Sequence, residues 1–181
     1  MFNKILVALD PEETSLSLFH QAIALAQSTG ANLKLMSVLI HRGDGTLPLF
    51  AYYPGFAGYP LGTDESFWEE YQKRRETDRT REQARLRHLC ERARAAGVNA
   101  DYMQTSGSPG REICELAESW EADLVMVGSR GRKGLSEMLL GSVSNYVMHH
   151  ARCSVMIVHP EESEKLGAQT TGRTPESAAA S

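Results

Sequence analysis

The chain has 181 residues, 41% of them hydrophobic and 23% charged, which suits one domain with a real core and some peripheral material. A net charge of −4 leaves no basic footprint for nucleic acid or an anionic membrane surface, and no apolar run approaches membrane-spanning length. The three cysteines, Cys90, Cys114 and Cys153, are far apart and form no Cys-x-x-Cys pair, so buried inert thiols are expected rather than a disulfide framework or a zinc site.

The first residues run straight into a strand and lack a signal-peptide layout, so the cytoplasm is the expected compartment. Ile5 to Leu9 is a continuous apolar run, the mark of a buried parallel strand, and it ends at Asp10-Pro11. Thr14 or Ser15 suits the cap of a first helix whose apolar stripe is Leu18, Ala22, Leu25 and Ala26, with Gly30 as its C-terminal stop. Asn32 to Leu39 reads as a second strand, with Leu33, Leu35, Val38 and Leu39 apolar.

Residues 41–63 break this rhythm. They are rich in aromatics, proline and glycine, too broken for a helix and too long for an ordinary connection. Two readings stand side by side: a lid or docking surface for a protein client, or an insertion whose aromatics pack on the chain's own domain or a second subunit. A long helix follows over 66–96. Phe67, Trp68 and Tyr71 lie at its start, Leu86, Leu89, Cys90 and Ala93 near its end, and Gln72 to Gln83 forms a polar middle. Acids interleave with arginines there, which favours a solvated face over a nucleic-acid patch.

Val98 to Thr105 is the third strand. Gly107-Ser108-Pro109-Gly110 then turns into a helix with Pro109 near its first position, where proline is tolerated, and with Ile113, Leu116, Ala117 and Trp120 inward. A buried strand ends at Val127. A later helix from Ser142 to Ala151 turns Val143, Tyr146 and Val147 inward, and Cys153 to Val158 is the last strand. The tail 161–181 is polar and rich in small residues, so disorder is expected there, outside a domain spanning 1–160. Strand and helix alternate throughout, giving five strands and four helices: an open α/β fold with a mainly parallel sheet.

The chemistry concentrates between the fourth strand and the last helix. Gly128-Ser129-Arg130-Gly131 leaves the strand, nine residues follow, and Gly141-Ser142-Val143-Ser144 opens the helix. Glycines at a strand exit let backbone approach a ligand, successive amides there can form an anion nest, and a helix start presents free N–H groups. Two donor patches bracketing one loop suit a phosphate chain. Arg130, Arg132 and Lys133 add positive charge beside it, with Arg130 the favoured phosphate contact. In open α/β sheets ligands sit at the carboxyl ends of the strands, so Asp10 shares this crevice if the first and fourth strands are neighbours.

Gly128, Gly131, Gly141 and Ser142 have the glycine spacing of the universal stress proteins, in their ATP-binding branch, which the chain resembles over about 1–40 and 97–160. The resemblance implies a Rossmann-like sheet of order 3-2-1-4-5 with helices on both faces, and a homodimer through the last strand. It implies that Ala8, Leu9, Asp10 and Val38 meet the adenosine end of the nucleotide. Val127, Gly128, Ser129, Arg130 and Gly131 then wrap the phosphates from one side, and Gly141, Ser142, Val143 and Ser144 from the other. Magnesium bridging phosphate oxygens goes with this. ATP, AMP or another adenine nucleotide would make the chain a ligand-dependent regulator in stress signalling. A slow ATPase and a nucleotide-independent adaptor are the alternatives. No catalytic residue stands out, since His20, His149 and His150 lie away from the phosphate-facing turn.

Overall fold

The computed structural model describes residues 1–11, 16–40, 65–129 and 140–159, with backbone alone at 65–68 and 71. The expected cap at Thr14 or Ser15, the 41–63 insertion, Arg130 to Lys133 and the 161–181 tail lie outside the described residues. Among the described residues nine elements alternate: β1 (Lys4–Leu9), α1 (Ser17–Thr29), β2 (Asn32–Leu39), α2 (Glu65–Ala95), β3 (Ala100–Ser106), α3 (Pro109–Ser119), β4 (Leu124–Gly128), α4 (Ser142–His150) and β5 (Ser154–Val158). The sheet has the order β3-β2-β1-β4-β5, and every pairing is parallel.

Register divides the apolar residues between two cores. Val7 lies opposite Leu35 and Met126, and with Ile5 and Leu9 it faces a core built with α1 and α2. Leu6 lies opposite Val125, and with Met36, Val38 and Val127 it faces the core under α3 and α4. Strands buried on both faces carry unbroken apolar runs, because neither side meets water.

α1 ends at Gly30, whose left-handed backbone (φ 71°, ψ 19°) returns an N–H to Ala26. Left-handed backbone of this kind favours glycine. α2 has 31 residues, a length of about 46 Å. Its second half packs on the sheet through Leu86, Leu89, Cys90 and Ala93, while residues 72–81 are exposed and touch β3 through the Arg79 carbonyl, which accepts from Gln104 Nε2 at 3.1 Å. Glu82 corrects the expected polar middle: it is buried at 4% exposure, one turn before Leu86 on the core-facing stripe.

The inward placement of Tyr146 is also corrected. Its ring is 38% exposed, stacks on His150 at 3.9 Å, and lies along the seam between α3 and α4. Val147 takes the buried position, with Val143 half-buried beside it. A Cβ on Gly110 would stand 2.7 Å from the Tyr146 ring, so α3 approaches α4 this closely only because residue 110 has no side chain.

Cys90 is buried and its thiol donates to the Ala100 carbonyl at 3.2 Å, while Cys114 and Cys153 are half-buried. Burial pushes all three thiols above the usual cysteine range, which disfavours the reactive thiolate. The Asp123 carboxylate ties the start of β4 to the start of β1 by accepting the N–H groups of Asn3 (2.7 Å) and Lys4 (2.8 Å). Those two bonds hold its pKa below the ordinary aspartate value.

Two outcomes follow from this packing. Gly110→Ala forces Tyr146 off the seam and lowers stability by about 1–3 kcal/mol in urea unfolding, as overpacking does; an unchanged midpoint would remove the close approach from the account. Because folding lowers the Asp123 pKa, its contribution is complete above the unfolded value of about 4 and fades as pH falls through the folded value. The stability gap between wild type and Asp123→Asn is therefore widest near neutral pH and closes in acid.

Candidate functional site

The sheet reverses direction of winding at β1 and β4, which are neighbours, so the crevice lies at their carboxyl ends. Register brings the expected residues of three strands to that edge. Ala8 lies opposite both Val127 and Met36, and Val38 stands two residues beyond Met36 on the same face. Ala8, Val38 and Val127 thus line the α3/α4 side, near Asp10 at the end of β1. Leu9 does not join them. Its side chain is 7% exposed and belongs to the α1/α2 core, so it offers the edge only its backbone.

The two glycine patches meet. Gly141 N–H donates to the Ser129 carbonyl at 2.9 Å, which draws the first turn of α4 against the exit of β4. Ser129 N–H donates to the Val158 carbonyl at 2.9 Å, and Asn145 N–H to the Gly141 carbonyl at 2.9 Å. Gly128 remains inside β4, paired with Val158, so the turn begins later than the glycine pattern suggests.

These bonds narrow the set of donors. The amides of Ser129 and Gly141 are engaged by protein carbonyls. The Ser144 hydroxyl is buried and donates to the Gly141 carbonyl at 2.9 Å. Among the described residues, what remains at the mouth is the first turn of α4. The N–H groups of Ser142, Val143 and Ser144 have no intrahelical acceptor, and among the described residues no side chain caps this end. The exposed Ser142 hydroxyl lies beside them. The helix dipole adds partial positive charge at the same place. Such an end favours an anion.

Asp10 is half-buried and held from behind. Arg85 of α2 donates from Nη2 to the Asp10 carbonyl at 2.9 Å. The same guanidinium forks onto Glu82, Nε to Oε2 at 2.9 Å and Nη2 to Oε1 at 3.0 Å. The sequence reading missed this pair. Its signal was the spacing of Glu82, Leu86, Leu89 and Ala93 along one helix face, hidden inside a run of charges. Among the described residues no helix is long and apolar enough to cross a membrane.

The profile of the universal stress protein family matches residues 1–159. A universal stress protein of Synechocystis sp. is 37% identical over 158 residues, covering 87% of this chain and 97% of its own. A solved universal stress protein in complex with cAMP is 26% identical, with a TM-score of 0.54 and coverage of 87% of this chain and 97% of that one. An Arabidopsis thaliana family protein with AMP bound superposes with a TM-score of 0.58 at 19% identity, covering 90% of this chain and 94% of that one. The sheet order, the near-complete match and the Synechocystis relative lead to one conclusion: the chain belongs to the universal stress protein family.

Proposed function

We propose that this chain binds an adenine nucleotide, ATP foremost, between the carboxyl ends of β1 and β4, and that occupancy regulates a partner protein. The observation that carries the reading is the Gly141–Ser129 backbone bond, which sets an uncapped helix start beside the β4 exit. The phosphates lie on the amides of Ser142, Val143 and Ser144, and the adenosine extends across Ala8 and Val38 toward Asp10. Arg130 and Gly131 are proposed as further phosphate contacts. The cAMP and AMP bound by the two structural relatives support an adenine ligand, and the family supports a stress-response setting.

The exposed Ser142 hydroxyl, at the turn proposed for the phosphates, is an oxygen donor that would suit a magnesium ion arriving on the nucleotide and keeping most of its water. Such an ion would neutralise phosphate charge. The first turn of α4 orients the phosphate chain, and the apolar strand ends exclude water from the base. β5 is the outer strand of the sheet beyond β4, and its edge is the surface on which a second copy pairs. The 41–63 segment connects β2 to α2 and is the surface proposed for the client.

Proline at the first helical position keeps a helix start while removing its N–H. Gly141 has φ −59° and ψ 153°, the extended backbone that a following proline requires. Ser142→Pro therefore keeps α4 and weakens ATP binding in calorimetry about tenfold, the loss of one charge-assisted bond. Ser142→Ala, which keeps the amide, stays within about threefold of wild type. Equal affinity for wild type and Ser142→Pro would take the phosphate off this turn. Deleting residues 43–62 leaves a folded dimer in light scattering with client binding lost; collapse to unfolded chain would make that segment part of the core or interface.

A further inference from the structure

Arg85 and Glu82 lie on the opposite face of the sheet from α4, and no phosphate or base reaches them in the reading above. We infer that this pair is a positioning device: the Arg85–Glu82 fork fixes the Asp10 peptide so that its carboxylate meets the ribose hydroxyls of the bound nucleoside. The inference rests on the nucleotide reading and adds the residues that hold its polar contact in place.

The pair is a poor choice for stability alone. The Glu82 side chain is 5% exposed and Arg85 is 27% exposed, so both charges are largely withdrawn from water. An ion pair in such a place is often no better than apolar side chains of the same volume. Glu82 occupies a turn of the core stripe where Leu86, Leu89 and Ala93 follow, and an apolar side chain would continue that stripe. What apolar residues lack is the donor from Arg85 Nη2 to the Asp10 carbonyl at 2.9 Å. This bond spans 75 positions of sequence and ties α2 to the carboxyl end of β1.

The Asp10 peptide is constrained from several directions. Before it, β1 is paired through Leu9 to Ser37 of β2. After it, Pro11 restricts Asp10 to extended backbone. Arg85 then fixes its carbonyl. Glu82, gripping two nitrogens of the guanidinium, sets the direction in which Arg85 points. Carboxyl oxygens accept hydrogen bonds, so the Asp10 side chain, carried on a fixed peptide, suits a ligand that offers hydroxyl donors, as a ribose does. A ligand held in a preorganised site loses less freedom on binding.

The decisive variant is the paired substitution Glu82→Leu with Arg85→Met, which keeps volume and removes both charges. Thermal unfolding is expected to be unchanged or shifted upward. In the ligand-free protein, hydrogen exchange in peptides covering residues 5–16 rises while β4 is unaffected. ATP affinity by calorimetry falls about tenfold. On an Asp10→Ala background the same pair causes no further loss, because two residues acting through one contact are not additive. Arg85→Lys, which keeps the charge opposite Glu82 without the fork, gives an intermediate loss and serves if the paired variant does not fold.

Unchanged ATP affinity in either variant, or a further tenfold loss on the Asp10→Ala background, would overturn the positioning role. Failure of the wild-type protein to bind ATP would sink the nucleotide reading and the ligand half of this inference together. The anchoring half is still decided by the ligand-free exchange, where unchanged protection at 5–16 would overturn it.

Discussion

One backbone hydrogen bond, from Gly141 N–H to the Ser129 carbonyl, sets the geometry on which the site depends. It joins two points that the chain separates by a long excursion. It does so where the sheet already opens a crevice, because α1 leaves β1 toward one face and α4 leaves β4 toward the other. Burial of Val147 and the packing of Tyr146 on α3 hold the body of the helix, and this bond sets its first turn against the strand exit. With it, three amides that have no intrahelical acceptor are held at the mouth of the crevice, each aligned with the helix dipole.

The two faces of the sheet divide the work. On the α3/α4 side the strand ends carry the half-buried Ala8 with Val38, and Gly110 lets α3 close on Tyr146 of α4. On the α1/α2 side the same strands are packed hard, with Ile5, Val7 and Leu9 buried. A rigid rear face is what allows a polar anchor such as the Arg85–Glu82 pair to transmit position to Asp10. At the opposite end of these strands Asp123 does comparable work, holding β1 and β4 in step from their amino ends. The crevice is thus bounded by strands fixed at both ends.

The strands were readable because burial on both faces leaves continuous apolar runs, and Ile5 to Leu9 and Leu124 to Val127 fall where those runs lie. Pro109 and Gly30 marked helix ends by their backbone chemistry. Sheet order came from resemblance, since alternation of elements does not fix which strands are neighbours. The donor count at the glycine motif was not readable. A glycine-serine pattern shows where amides are, whereas their availability depends on which carbonyls the fold brings near, and Val158 and Ser129 take two of them. Glu82 and Arg85 were hidden for a related reason. A charged residue on a core stripe resembles its solvated neighbours until its partner is known. Tyr146 followed helical periodicity inward, yet the closeness of α3 at Gly110 leaves room for its ring only along the seam.

The central claim is that the first turn of α4 and the β4 exit converge on one polyanion. A crystal structure of the full chain grown with ATP and magnesium tests it most directly. The account predicts phosphate oxygens within hydrogen-bond distance of the amides of Ser142, Val143 and Ser144, with the adenosine lying across Ala8 and Val38. A triphosphate bound away from the start of α4, or a base seated outside the β1–β4 crevice, would contradict it.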